Sequence, residues 1–441
     1  MRMSDLSTKT YHERLHALAI LLSTAAILSS SLHFWPFHEN KIWQLLCPAN
    51  LAVLLWVVIC AVCFGPVSRC FRTSGTPDTS RRLGPLNSLK VLHRRCPTDK
   101  PYLPHLSVIA YLSVSVLSMA IAPNLARSAS FNAKLALMLV GAYALFGCAI
   151  SDTRQLRRAY GLATLALVTT VACCLVDRFW GHKTFGLFRN AHKYGSYIGM
   201  LTPLCTTFLL LGPRYWTKLL ALALIVGSVI SAGTLGAVAA TAFGLLVALI
   251  VTSRRASRVS ILGTLLIATA VVLLIRTNWP GISWPDDIVL TEKDGKNLRQ
   301  RYVEWQAELN LLEQRAGVGT GAGCLNEYRS KFYYRLPKLN TLQAFDQNGW
   351  LATAAETGIL GLVCFSWILL SYSQQIYHHL KEAESEALSA DLAPTCVASL
   401  AGLAGACVTN IFSSVMYNGV LIVFVLLLVL AAKSGELSRK S

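Results

Sequence analysis

The sequence has 441 residues, of which 54% are hydrophobic and only 14% are charged. Together with a mean hydropathy of +0.49, this composition excludes an ordinary soluble globular protein and indicates an integral membrane protein. The formal net charge of +18 could point to nucleic acid, but a basic excess in a membrane protein usually comes from Lys and Arg held in cytoplasmic loops, so no nucleic-acid partner is predicted.

Apolar runs, taken in chain order, predict about twelve membrane-spanning helices, because each run approaches the ~20 residues that cross a hydrocarbon core. The runs lie near residues 17–35, 42–65, 105–122, 133–151, 159–176, 194–212, 217–231, 236–252, 259–275, 351–372, 394–413 and 416–432. The predicted fold class is therefore all-α, a polytopic helical membrane protein that forms a single integral membrane domain over residues 1–441.

The connectors between these runs predict the sidedness of the protein. Lys and Arg are concentrated in the amino end, in the 68–104 loop, around residues 154–158 and 254–258, and in the tail after Lys433. An even number of spans places all of these segments on one face, which the positive-inside rule makes cytoplasmic. Both termini are thus predicted to be cytoplasmic, and residues 68–104 form a basic cytoplasmic loop.

The 13 cysteines lie mostly inside apolar runs, as Cys60, Cys148 and Cys205 do. Such cysteines usually pack as small hydrophobic side chains. No Cys and His residues recur at the spacing that holds zinc. The sequence therefore predicts neither a disulfide framework nor a metal site, and it calls for no cofactor.

The longest connector, residues 276–350, is predicted to lie on the opposite face as one large outer loop that contains short helices. In NLRQRYVEWQAELNLLEQR, Tyr302, Trp305, Leu309 and Leu312 recur at helical spacing. This spacing suggests an amphipathic helix lying on the membrane face. Three glycines in the following VGTGAGCL predict a turn.

Cationic and imidazole side chains crowd the short outer loop before the sixth span. They are His182, Lys183, Arg189, His192 and Lys193. Because the positive-inside rule disfavours cations on this face, either an anionic ligand such as a diphosphate or contact with lipid headgroups would stabilise them. Arg suits a phosphate best, through its planar fork of donors.

Arg299 and Arg301 raise the same question in the long loop. The alternative to a ligand is an ion pair of Arg301 with Glu304 or Glu308 on a solvated helix face. Neither arginine alone distinguishes these two interpretations.

The tenth span begins with polar residues and contains a carboxylate. Asp346, Gln347 and Asn348 lie at its mouth, and Glu356 follows about two turns below. A carboxylate at that depth is costly and marks either a functional site or a polar contact between helices. In the sixth span, the spacing of Gly195 and Gly199 is typical of a close helix-packing seam.

Three blocks of sequence, in order, resemble the O-antigen ligase and O-antigen polymerase superfamily of GT-C type membrane glycosyltransferases. FGLFRNAHKYGSYIGMLTPL is similar to the family's outer loop entering a helix. RYVEWQAELNLLEQRAGVGTGAGCLNEY is similar to its R-x-x-x-W helix followed by a glycine-rich segment, and QNGWLATAAETGILGL to H-N-x-aromatic-L followed by E-x-G-x-x-G-L. The resemblance covers roughly residues 130–372.

The resemblance implies a transferase of lipopolysaccharide or other polysaccharide biosynthesis in the bacterial cytoplasmic (inner) membrane. The donor would be an undecaprenyl-diphosphate-linked glycan, and the acceptor a saccharide, either the lipid A core or a growing glycan. The donor diphosphate would contact Arg189 and Arg301, with Arg299 and Lys193 nearby. The reaction would need no nucleotide and no obligatory metal.

The resemblance also implies a base that takes the acceptor proton. Where the family's best-known histidine precedes Asn348, this chain has Gln347, which cannot act as a general base. Asp346 or His192 is the expected replacement, so Asp346, His192 and Gln347 are the candidate catalytic positions. The candidates for glycan binding or for structure are Asn348, Trp350, Glu356 and Trp305.

A second departure from the family is found at Thr234 and Leu235, where relatives usually carry Ser-Arg. Two alternatives therefore stay open beside the glycosyltransferase. One is a secondary transporter, although no internal repeat is found. The other is a family member that binds glycans without catalysis.

Overall fold

The computed structural model describes residues 17–25, 103–179, 188, 191–232, 234–252, 255–278, 304–328, 348–385, 393–416 and 420–438. These residues are predominantly helical and none of them forms a strand, which confirms the predicted all-α class. The 42–65 span and residues 68–102 of the predicted 68–104 loop lie outside the described residues, and residues 103–104 begin the first described helix after them. The number of membrane crossings and their sidedness stay predictions.

The helices coincide with the predicted apolar runs. They are α1 (Leu103–Leu117, continued by a 3-10 turn at Ser118–Ile121), α2 (Leu125–Ala149, with a π-helical stretch at Leu137–Ala142), α3 (Thr153–Phe179), α4 (Ala191–Leu210), α5 (Tyr215–Ser231), α6 (Leu235–Val251), α7 (Arg255–Asn278), α8 (Gly349–Ser385), α9 (Ala393–Phe412) and α10 (Val420–Ser438). Residues 17–25 are also helical, and residues 304–314 form a helix that we call the loop helix.

Five of the described helices, including α8, α9 and α10, are long and apolar enough to cross a membrane. Large apolar side chains such as Ile109, Ile250 and Leu266 are exposed on the outer faces of α1, α6 and α7. Contiguous exposed apolar surface is rare on proteins that face water alone. These surfaces therefore suit a lipid environment.

The centre of the bundle is formed by α4, α6, α9 and α10. Gly195 and Gly199 let α4 approach its neighbours closely: an added Cβ on Gly199 would lie 2.7 Å from the Thr409 hydroxyl of α9 and 3.1 Å from Ala240 of α6. On the facing helix, a Cβ on Gly405 would collide with the Gly199 carbonyl oxygen. The structure thus confirms the predicted helix-packing seam.

Candidate functional site

The predicted site segments meet at one end of the bundle, where α4, α6 and α8 begin and α9 ends. We call this the site end; it comprises residues 191–196, 234–237, 348–351 and 409–413.

Asn348 caps the beginning of α8. Its Oδ1 accepts hydrogen bonds from the backbone amides of Trp350 at 3.0 Å and Leu351 at 3.1 Å. Capping satisfies amides at a helix N-terminus that have no partner within the helix. The Trp350 indole Nε1 donates to the Cys407 carbonyl of α9 at 3.2 Å. Both side chains therefore fix the start of α8 in place, and glycan binding by either stays a prediction.

Helix α8 is broken at Gly358, which has φ 74° and ψ −179°. The break separates a first half-helix, residues 349–357, from the longer part, residues 359–385. The segment 317–324, which we call the glycine loop, enters the break. Two backbone hydrogen bonds of 2.9 Å join the two segments, from Thr320 N–H to the Ala355 carbonyl and from Gly321 N–H to the Glu356 carbonyl. A third, also 2.9 Å, runs from Ile359 N–H to the carbonyl of Ala316, the residue just before the loop.

The glycine loop follows a backbone path that requires glycine. Gly319, Gly321 and Gly323 have φ values of 71°, 95° and 76°. The left-handed region is disfavoured for residues that carry a Cβ. At Gly319, a Cβ would also lie 2.5 Å from the Glu356 carbonyl group. The predicted turn is present, and it packs directly against the backbone of α8.

A second set of contacts ties this segment to the α1–α2 connection. The Ala322 amide donates to the Ser118 hydroxyl at 3.0 Å, and the Cys324 thiol donates to the Asn124 carbonyl at 3.6 Å. Beyond the loop, Arg127 and Glu327 form an ion pair at 3.6 Å. Burial raises the pKa of the Cys324 thiol, the hydrogen bond to Asn124 lowers it, and Glu327 and Glu356 raise it further.

Glu356 lies at the end of the first half-helix and is only 5% exposed. Its Oε1 accepts a long hydrogen bond, 3.5 Å, from the Leu325 amide just after the glycine loop. The carboxylate is thus directed toward the loop and makes a polar contact there. This contact is one of the two roles that the sequence left open for a carboxylate at this depth.

The loop helix packs on the first half-helix through a small apolar cluster. Its members are Leu311, Leu325, Ala352 and Ala355, with Tyr328 at the edge. The cluster brings the second and third motif blocks of the sequence into contact.

The loop helix is oriented differently from the sequence prediction. Glu304 and Glu308 are 1% and 2% exposed, whereas Leu309 is 50% exposed, so the two glutamates do not lie on the solvated face that the ion-pair alternative for Arg301 requires. The face that carries the glutamates and Leu311 lies about 100° around the helix from that of Trp305 and Leu309, given 3.6 residues per turn. The apolar spacing identified the helix but not the face that packs on α8.

Trp305 lies on the same face of the loop helix as Leu309. Its side chain is half-buried, and the indole Nε1 is buried with no hydrogen-bond partner in the described part of the chain. A buried indole N–H usually has a partner, because leaving it without one costs free energy.

His192 and Lys193 lie on the first turn of α4 and are half-buried. His192 borders a small pocket with a volume of about 10 Å³, formed with Gly195, Ser196, Thr234, Gly236, Ala237, Thr409, Phe412 and Ser413. The Thr409 hydroxyl is buried and has no hydrogen-bond partner among the described residues. The next residue, Asn410, packs directly against Gly349 at the start of α8. The end of α9 therefore connects the His192 pocket to the Asn348 cap.

Five predicted site residues lie outside the described residues: Arg189, Arg299, Arg301, Asp346 and Gln347. Their convergence, and each of their roles, stays a prediction. Trp305 lies on the loop helix, which packs on the first half-helix of α8; Asn348, Trp350 and Glu356 lie on that half-helix or at its start, and His192 and Lys193 begin α4 at the site end.

The sequence did not predict the helix break at Gly358 or the contact of Thr320 with that break. Gly358 lies in an apolar run where one glycine is compatible with a continuous helix. Its sequence signal is its place in the E-x-G-x-x-G-L block, two residues after Glu356.

The described part of the chain is a bundle of apolar helices that pack around a glycine seam. It has apolar outer surfaces that suit lipid and a broken helix at one end. These features define a helical membrane protein. Residues 220–366, from α5 through the break in α8, match the family model described as O-antigen ligase. This match covers about a third of the chain and bears out the resemblance to the O-antigen ligase and polymerase superfamily seen in the sequence. No curated protein matches the chain.

Proposed function

We propose that the protein is a membrane glycosyltransferase of the O-antigen ligase or polymerase type. It transfers a glycan from a polyprenyl-diphosphate carrier to a saccharide acceptor, such as the lipid A core or a growing glycan, on the outer face of the cytoplasmic membrane. The site end faces outward in this proposal.

One observation carries the proposal. The family match includes both the loop helix and the beginning of α8, and these two segments contact each other through the glycine loop and the Leu311 cluster. Arg299 and Arg301 precede the first segment by a few residues, and Asp346 and Gln347 directly precede the second. The contact between the two segments supports the proposal that these cations and a candidate base act at one site.

The proposed chemistry is a direct displacement. The acceptor oxygen forms a bond to the anomeric carbon while the bond from that carbon to the diphosphate oxygen breaks, which inverts the configuration. Arg189 and Arg301, assisted by Arg299 and Lys193, stabilise the negative charge that develops on the leaving diphosphate. Asp346 or His192 accepts the proton of the acceptor hydroxyl.

The broken helix also bears on the transporter alternative. Secondary transporters use helix breaks whose free carbonyls coordinate ions. Here the carbonyls of Ala355 and Glu356 accept hydrogen bonds from Thr320 and Gly321. These carbonyls are already bound by the protein, which favours the transferase.

Replacement of the arginines tests the proposal. Arg189→Ala and Arg301→Ala, purified in detergent and supplied with a polyprenyl-diphosphate glycan, are expected to lose transfer by about 100-fold or more, the usual effect of deleting one group that stabilises transition-state charge. Arg214→Ala is the matched control, because Arg214 is exposed in the connection between α4 and α5, at the opposite end of α4 from the site end. Unchanged transfer in both test variants would disprove the arginine roles.

The base is tested separately. Asp346→Asn and His192→Gln keep hydrogen-bonding side chains but remove the basic group, and the residue that acts as base is the one whose replacement abolishes transfer at unchanged thermal stability. A non-catalytic glycan-binding member is the other reading of Gln347. It would show no transfer in the wild type and measurable transfer only after Gln347→His.

A further inference from the structure

A break inside an apolar helix leaves backbone carbonyl and amide groups without helical partners. Each such group costs free energy when no water can reach it. At the break in α8, these groups are bound by Ala316, Thr320 and Gly321. The break and the glycine loop therefore depend on each other: a continuous α8 has no free groups to bind the loop.

The fit between the two segments is close on both sides. A Cβ on Gly358 would lie 2.5 Å from the Gly317 carbonyl oxygen, and a Cβ on Gly319 would lie 2.5 Å from the Glu356 carbonyl. The Thr320 hydroxyl adds a hydrogen bond to the Ala355 carbonyl at 3.2 Å. The backbones are in direct contact, and no side chain separates them.

The glycine loop connects directly to the segments that the transfer reaction would use. The loop helix, which carries Trp305, ends three residues before it, and Leu325 follows it. The Leu325 amide binds the Glu356 carboxylate, and Leu325 packs with Leu311 against Ala352 and Ala355. Displacement of the loop would therefore move the loop helix relative to the start of α8.

We infer that the glycine loop, inserted in the break of α8, positions the loop helix over the first half-helix, and that Gly358 and Glu356 are positioning residues for the transfer site. Gly358 keeps the break open, and the Glu356 carboxylate holds the end of the loop through the Leu325 amide. The idea that the loop thereby positions the arginines and the base rests on the proposed function. The insertion of the loop into the break does not rest on it.

Cys324 provides a native reporter of loop insertion. This last residue of the glycine loop is fully buried, and its thiol donates to the Asn124 carbonyl. Release of the loop would expose this thiol and remove the burial that raises its pKa, and both changes speed alkylation because the thiolate is the reactive form. Cys205, buried in the middle of α4, reports unfolding of the bundle itself.

The experiment measures N-ethylmaleimide labelling of the full-length protein in detergent, with Cys324 and Cys205 quantified separately by peptide mass spectrometry. Glu356→Ala should label Cys324 about tenfold faster than the wild type, the size expected for loss of one hydrogen bond to a charged group. Glu356→Gln retains an acceptor and should stay near the wild-type rate. Glu313→Ala, at an exposed position on the loop helix, is the matched control and should not change the rate.

Two further variants keep the test decisive if Glu356→Ala unfolds the bundle, which rapid Cys205 labelling would reveal. Gly358→Ala should give the fastest Cys324 labelling. Thr320→Val removes only the hydroxyl contact, so it should raise the labelling rate about threefold, as expected for loss of one neutral hydrogen bond. Slow Cys324 labelling in folded Glu356→Ala or folded Gly358→Ala would overturn the inference.

Transfer kinetics complete the test. Glu356→Ala should lose most of kcat, and Glu356→Gln should restore it. If Glu356→Gln is inactive while Cys324 stays protected, the carboxylate acts in the chemistry and the positioning role is wrong. If even the wild type transfers no glycan, the proposed function fails, but the labelling rates still decide whether the loop is held as inferred.

Discussion

Glycine serves two neighbouring regions of this protein in different ways. In the seam between α4, α6 and α9, Gly199 and Gly405 lie within regular helices and bring two helix backbones together. In the glycine loop and the α8 break, Gly319 and Gly358 have positive φ and place irregular backbone against irregular backbone. The seam needs glycine for its small size alone, whereas the loop needs both its small size and its conformational freedom.

Because of this difference, the two regions should differ in how well they tolerate the substitution of glycine by a larger residue. A helix can move slightly away from a larger side chain, because its own hydrogen bonds do not depend on the neighbour. The loop and the break have no such independence, since each supplies the hydrogen-bond partners of the other. We therefore expect substitutions in the loop to cost more than substitutions of the same size in the seam.

The largest effect is expected for Gly319→Ala. A positive φ costs a non-glycine residue about 1–2 kcal/mol, and forced contact with packed atoms adds about 1–3 kcal/mol, so we expect a loss near 3 kcal/mol and fast labelling of Cys324. Gly317→Ala is the control in the same loop, because a Cβ there meets nothing within 4 Å. If the two variants were equally stable to heat, the loop would not require glycine at position 319, and the contrast between the loop and the seam would not hold.

A smaller effect is expected for Gly405→Ala in the seam. The added Cβ would collide with the Gly199 carbonyl and lie 2.9 Å from Pro203. Overpacking of this kind costs about 1–3 kcal/mol, which should lower Tm without changing Cys324 labelling. Gly263→Ala in α7, where a Cβ meets nothing within 4 Å, should not lower Tm. Cys324 exposure in Gly405→Ala would mean that the two regions are not independent.

The sequence predicted the seam but not the break, for a physical reason. Gly195 and Gly199 are four residues apart, and helix periodicity alone places them on one face. Gly358 acquires its conformation from Gly317 and Thr320, about forty positions earlier in the chain, and no local pattern encodes that contact. The positions of the described helices follow from local apolar runs in the same way as the seam.

The candidate site was predictable only in part. Helical spacing identified the loop helix, yet Glu304 and Glu308 occupy its buried face, because packing on α8 outweighs the apolar pattern of Trp305 and Leu309. The polar contact of Glu356 was one of two roles anticipated from its depth. Its partner, the Leu325 amide, could not be anticipated, since any backbone amide can donate.

A modest effect is expected for Asn348→Ala, which acts on the first half-helix from its other end. Loss of an N-cap costs about 1 kcal/mol, and Asn348→Ser should restore most of it. Tm of the two variants measures the structural role. If Asn348→Ala instead abolishes transfer while Tm stays unchanged, the residue binds glycan and its capping contacts are secondary.

The smallest effect is expected for Thr409→Val at the edge of the seam. Thr409 is 3% exposed and its hydroxyl is buried without a hydrogen-bond partner in the described part of the chain, so replacing the hydroxyl by a methyl group of the same shape removes a buried polar atom. Such exchanges are nearly neutral or stabilising, so Tm should stay the same or rise slightly. A fall in Tm would show that the hydroxyl has a partner, such as water, in the His192 pocket. A loss of transfer with Tm intact, restored by Thr409→Ser, would instead assign that partner to a substrate, and the seam would then contribute to the site as directly as the glycine loop does.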